Sequence, residues 1–138
     1  MKNTYLIAPI CLLLASCGGL NEPAPANLSG VQTVSLNSAQ QKLVSDGVRE
    51  MVAKETVSGG EDAKLSNFKA FSLLPGSSVH VCGDVSYQLE PGEATKSASY
   101  YLEFTDQNGA LEAIRGQVGF DVLKKSKVTF MCRHVNTG

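Results

Sequence analysis

The hydrophobic pattern changes period at Ser58-Gly59-Gly60, and that change limits the chain to a domain that begins with a helix and continues in strands. Upstream, Leu43, Val44, Val48, Met51 and Val52 recur three and four residues apart, the spacing that lines up apolar side chains on one stripe of an α-helix. The pattern predicts a helix over Leu36–Val57, with Ser38 and Gln41 as a capping box and Asn37 as the alternative cap. Gly47 weakens the middle of this helix by about 1 kcal/mol relative to alanine and is read as a close packing contact.

Downstream the apolar residues alternate, which predicts strands at Leu65–Leu74, Ser78–Tyr87, Ala98–Thr105, Leu111–Val118 and Lys127–His134. The breaks carry turn chemistry at Pro75-Gly76, Pro91-Gly92, Asn108-Gly109 and the polar Lys124–Lys127 stretch. The segment from Asp106 to Gly109 suggests a calcium loop at first sight. It lacks the third oxygen ligand, the correctly placed glycine and the closing glutamate, so it reads as a hairpin turn. Lys124, Lys125 and Lys127 read as a solvated turn rather than a polyanion site. The expected class is α+β, with one N-terminal amphipathic helix packed on a four- to five-stranded antiparallel sheet. The opposite sheet face or an edge strand is then where a partner would dock.

At the N-terminus an apolar run, Tyr5 to Leu14, follows Lys2 and closes on Leu14-Ala15-Ser16-Cys17. At about ten residues the run suits a signal-peptide core and is too short for a spanning helix. The closing tetrapeptide resembles the lipobox of bacterial lipoproteins. The resemblance implies removal of residues 1–16 as a signal peptide and lipidation of Cys17, with a diacylglycerol and a palmitate-type N-acyl chain as membrane anchor. Gly18 and Gly19 follow, with no aspartate after the cysteine, which by the same resemblance favours the outer membrane of a Gram-negative host. In a Gram-positive host the anchor would lie in the plasma membrane. Residues 17–34, rich in Gly, Pro, Ala, Asn and Ser, read as the lipidated cysteine and a flexible tether, and residues 35–138 as a single domain. Removing residues 1–16 takes away only Lys2 among the charged residues, so the net charge moves from −1 to −2. That balance is too mild to imply nucleic acid or an anionic lipid surface as partner.

With Cys11 in the signal segment and Cys17 as the lipid site, Cys82 and Cys132 remain, and an even pair in an exported domain points to one disulfide. A second possibility stays open. His80 and Cys82 share a strand face, as would Cys132 and His134, so antiparallel pairing would bring His80, Cys82, Cys132 and His134 together as a Cys₂His₂ metal set. Their spacing matches no common zinc module, and an oxidising compartment favours the disulfide.

Catalytic motifs are missing from the sequence. There is no Gly-x-Ser-x-Gly elbow, no phosphate-cradling glycine loop and no His-Glu-x-x-His helix. Asp84, Glu103 and Asp121 are candidates for a paired-carboxylate site only if the fold makes them converge. No cofactor is implied, and the chain reads as a non-enzyme.

The stretch Asp62-Ala63-Lys64-Leu65-Ser66-Asn67-Phe68, followed by Val81-Cys82-Gly83-Asp84-Val85-Ser86, resembles a group of small exported proteobacterial proteins without assigned function. Those carry a Val-Cys-Gly-Glu-Val-Asn-like strand, a later Gly-Gly-Tyr-x-x-Phe-like segment and a second cysteine near the C-terminus. Ser99–Phe104 and Cys132 stand in the last two places here, without the glycine pair. The resemblance supports the fold and the disulfide and supplies no activity.

The expected function is a lipid-anchored bacterial envelope lipoprotein with a small binding or structural domain, facing the periplasm or the surface, its partner an envelope protein or glycan. One alternative is a periplasmic inhibitor of a hydrolase such as lysozyme, acting through the loop Glu90–Ser97 or the stretch Ser97–Tyr101. Another is a metal-handling lipoprotein using His80, Cys82, Cys132 and His134.

Overall fold

The computed structural model describes residues 30–74 and 78–135. The expected signal peptide, Cys17, the expected tether up to residue 29 and the Pro75-Gly76 turn lie outside the described residues. The described chain is α+β: a five-stranded antiparallel sheet with two helices. The strands are β1 (Gln32–Val34), β2 (Lys64–Ser72), β3 (Val79–Tyr87), β4 (Lys96–Gln107) and β5 (Ala110–Val118), and they lie side by side in chain order. Helix α1 (Ser38–Ala53) sits between β1 and β2 in sequence, and helix α2 (Val122–Met131) follows β5.

The N-cap of α1 is Asn37, the alternative cap, and not Ser38. The Asn37 side chain accepts from the Gln40 backbone N–H at 2.9 Å, and the Gln40 side chain accepts from the Asn37 N–H at 2.9 Å. This is the capping box in a register one residue earlier than Ser38 and Gln41. The Gln40 amide also donates to Asp106 at 2.8 Å, which pins the helix start to the β4–β5 hairpin. That hairpin turns through Asn108 and Gly109, both at positive φ, with the Gly109 N–H held by Asp106 at 2.9 Å. Val44, Val48 and Val52 bury one stripe of α1 among Val81, Val85, Tyr100, Leu102, Phe104 and Val118. A Cβ on Gly47 would sit 2.7 Å from a Leu102 methyl, so the glycine lets this helix approach the sheet closely.

Strand alternation places Val81, Val85, Leu102 and Phe104 on the α1 face, and His80, Cys82, Tyr101 and Glu103 on the opposite one. Helix α2 covers part of that opposite face, joined to it by the disulfide from Cys132, at its C-terminal cap, to Cys82 in β3. The expected strand Lys127–His134 and the expected lysine turn at Lys124–Lys127 are therefore corrected: both fall in α2 and its C-terminal turn. Val128, Thr129 and Phe130 suggested a strand by their β-propensity. Asp121 overrides it, capping the helix by accepting from the Lys124 N–H at 2.8 Å. Among the described residues the single expected helix is corrected to two. The sheet still has five strands because Gln32–Val34, expected within the tether, pairs with Ala70–Ser72. The sheet thus includes residues that precede Ser35.

Candidate functional site

The sheet face that carries α2 also carries a polar cluster, built by register. His80 in β3 lies opposite Glu103 in β4, and Glu103 lies opposite Arg115 in β5. Cross-strand neighbours on one face are close enough for side chains to meet. Glu103 is the hub: Ser78 donates to its Oε1 at 2.7 Å, while the Tyr101 hydroxyl and Arg115 Nε donate to its Oε2 at 2.8 and 2.6 Å. Burial would raise the Glu103 carboxyl, but the hydrogen bonds from Ser78, Arg115 and Tyr101 outweigh it and bring the pKa to about 2.

His80 is buried and stacks on Phe71 with ring centroids 5.2 Å apart. Its Nδ1 lies 3.0 Å from the Tyr101 hydroxyl oxygen. The one hydroxyl proton of Tyr101 points at Glu103, so His80 donates in this contact and carries its proton on Nδ1. Burial pushes the His80 pKa below its ordinary value, Glu103 opposes the shift, and Arg115 and His134 add to it. The imidazole is thereby held neutral. Burial, and then the hydrogen bond and the charge of Glu103, push the Tyr101 hydroxyl far upward. The three groups thus keep fixed protonation states near neutral pH.

Of the residues singled out in the sequence, Cys82 and Cys132 are joined with Cα atoms 6.0 Å apart, so neither offers a thiolate to a metal. His80 and His134 do come to one place, both against the Phe71 ring: His80 is stacked on it and the His134 ring is tilted against it at 6.3 Å between centroids. Among the described residues no group of three or more His, Cys, Asp or Glu is arranged to hold a metal ion. The acidic trio does not converge. Asp84 accepts from Asn67 and Ser99, Glu103 from the cluster above, and Asp121 caps α2. The stretch Ser97–Tyr101 lies inside β4 with Tyr100 and Tyr101 buried, so it does not protrude; residues 90–97, at the β3–β4 connection, are exposed. Cys17 lies outside the described residues.

Sequence reading missed Ser78 and Arg115, and held Tyr101 only as the end of the Ser97–Tyr101 stretch. The alternation that puts Tyr101 and Glu103 on one face was visible, but the strand register that brings Arg115 to them was not. Beside the cluster, a groove of about 410 Å³ runs between β5 and α2, lined by Tyr101, Arg115, Gln117, Lys127, Phe130 and Met131. The Arg115 side chain is more than half exposed, with Nε bound to Glu103, and it lines this groove. Comparison of the chain with family models, with curated proteins and with solved structures returns no match.

Proposed function

We propose that the protein is a lipid-anchored bacterial envelope lipoprotein whose domain is a small non-enzymatic binding or structural module. The observation that carries the reading is the Cys82–Cys132 disulfide. A structural disulfide belongs to an exported, oxidising compartment. It also occupies both cysteines of the domain, so that after loss of residues 1–16 Cys17 is the one thiol left for acylation at the lipobox. In this reading helix α1 supports the sheet from one face, and the face bearing α2, Arg115 and the Glu103 cluster is the one that makes contacts outside the domain. The cluster's clamped protonation states support binding over catalysis.

The test is expression of the full chain in a lipoprotein-processing bacterium fed a radiolabelled or alkyne-bearing palmitate. The expected result is label in the wild-type protein and recovery with the outer membrane. Cys17→Ser should carry no label and leave the membrane fraction. Unlabelled wild-type protein, or a Cys17→Ser variant that stays membrane-bound, would overturn the reading.

A further inference from the structure

Helix α2 has two opposed apolar sides, and only one of them is covered. Val128 and Cys132, four residues apart, face the sheet and are buried. Val122, Leu123 and Phe130 are 80%, 76% and 61% exposed. Leu123 and Phe130 are separated by seven residues, close to two helical turns, and Val122 and Phe130 by eight, so the three share the outer side of the helix. At 100° per residue, Lys125 and Lys127 fall on the two flanks of this ridge, and both are exposed. Arg133, just past the helix, lies over the Phe130 ring at 4.2 Å from its centroid. Arg115 opens onto the adjoining groove, which Lys127 and Phe130 also line. Lys124 is engaged differently, paired with Glu55 at 3.1 Å on the inner flank, and Asp121 is engaged as the helix cap.

Single exposed apolar residues are ordinary on a protein surface. Three on one side of a ten-residue helix, bracketed by cations, have the composition of a helix that lies in a membrane interface. We infer that the outer side of α2 is a membrane-docking surface that inserts Val122, Leu123 and Phe130 among the acyl chains of an anionic bilayer. Lys125, Lys127, Arg133 and Arg115 meet the phosphate headgroups. Among the described residues no helix is long and apolar enough to cross a membrane, so the contact is interfacial. The inference rests on the lipoprotein reading: an anchor at Cys17 keeps the domain at high local concentration beside the bilayer, so a short, weakly binding helix suffices to orient it. The sequence balance argued against an anionic surface because it averaged the charge over the whole chain. The fold gathers the cations on one ridge.

The chain contains no tryptophan, so one introduced indole reports its own surroundings. The full lipidated protein carrying Leu123→Trp is placed in vesicles of phosphatidylglycerol and phosphatidylcholine with brominated acyl chains. Lys42→Trp, on the exposed side of α1, is the control. Flotation of the protein with the vesicles reports the anchor, and indole emission reports docking. The expected result is a blue shift and at least about twofold stronger quenching for Leu123→Trp than for the control, as interfacial burial demands. Both effects should weaken when Lys125→Glu and Lys127→Glu are added or when phosphatidylglycerol is omitted. Flotation with equal quenching of both indoles would overturn the docking surface and leave the anchor standing. Failure to float, with no shift, would overturn both. A shift produced by lipid-free envelope protein and not by vesicles would assign the ridge to a protein partner and overturn the inference.

Discussion

Tyr100 is fully buried, and its hydroxyl finds no hydrogen-bond partner among the described residues. The ring is kept in place by Gly83, where an added Cβ would lie 2.7 Å from the hydroxyl oxygen. A buried hydroxyl without a partner costs about 1–3 kcal/mol of desolvation. Tyr100→Phe removes that penalty and leaves the ring packing intact. It should leave the protein as stable or raise its stability by about 1 kcal/mol in urea unfolding; a loss above that size would show that the hydroxyl is partnered. Glu103 is the opposite case, a buried carboxylate with three donors aimed at it. Glu103→Gln leaves Arg115 without its counter-charge and disorders the Tyr101–His80 contacts. The expected loss is about 2 kcal/mol, below the range for fully buried pairs because Arg115 is mostly exposed and can rehydrate.

At the scale of elements, α2 is the part whose position depends least on its own sequence. It is short, its sheet-facing contacts centre on Val128 and Cys132, and isolated helices of this length are marginal in water. The disulfide supplies what local propensity lacks. It closes a separation of 50 residues, for which loop-closure entropy predicts about 4 kcal/mol of stabilisation. Replacing both cysteines with alanine should lower stability by about that amount. Amide exchange should rise first across Val122–Met131 while α1 and β3 stay protected; uniform exchange throughout the domain would contradict a local role for the bond. The expected strand at Lys127–His134 failed for the same reason that α2 needs the bond. Val128-Thr129-Phe130 carries strand propensity, and only the Asp121 cap and the attachment at Cys82 decide for the helix.

For the whole molecule, two groups couple folding to pH in the same direction. The Glu103 pKa falls from 4.5 in the unfolded chain to about 2 in the fold. Its contribution is complete above 4.5 and drains as pH drops toward 2. His80 is lowered from 6.5, so below that pH the unfolded chain takes up a proton that the folded one refuses. Stability should therefore begin to fall below pH 6.5 and fall more steeply between 4.5 and 2. Glu103 alone accounts for about 2 kcal/mol, once the exposure of its partner Arg115 is discounted. Urea midpoints measured across this range should show the decline, and Glu103→Gln should flatten its lower part. An unchanged profile in that variant would mean that other carboxylates dominate acid unfolding.

The sequence by itself determined the change from helical to alternating periodicity, the α1 stripe of Val44, Val48 and Val52, the Asn108-Gly109 hairpin and the cysteines left to pair. These rest on local rules: side-chain period, turn dihedrals, and the tendency of an even pair of cysteines to join. It also held the Asn37 and Asp121 caps, each three residues from its partner N–H, one shifted by a residue and the other overlooked behind a β-branched run. Only the tertiary structure decided the rest. Three residues before Ser35 became an edge strand because Ala70–Ser72 needed backbone partners. The β3–β4–β5 register put His80, Glu103 and Arg115 in one row, and a slip of one residue would have sent them to different faces. Cys82 and Cys132 held α2 on the second face and turned a run of lysines into the flanks of an exposed apolar ridge. Such features depend on pairings between residues far apart in sequence, which no local pattern encodes.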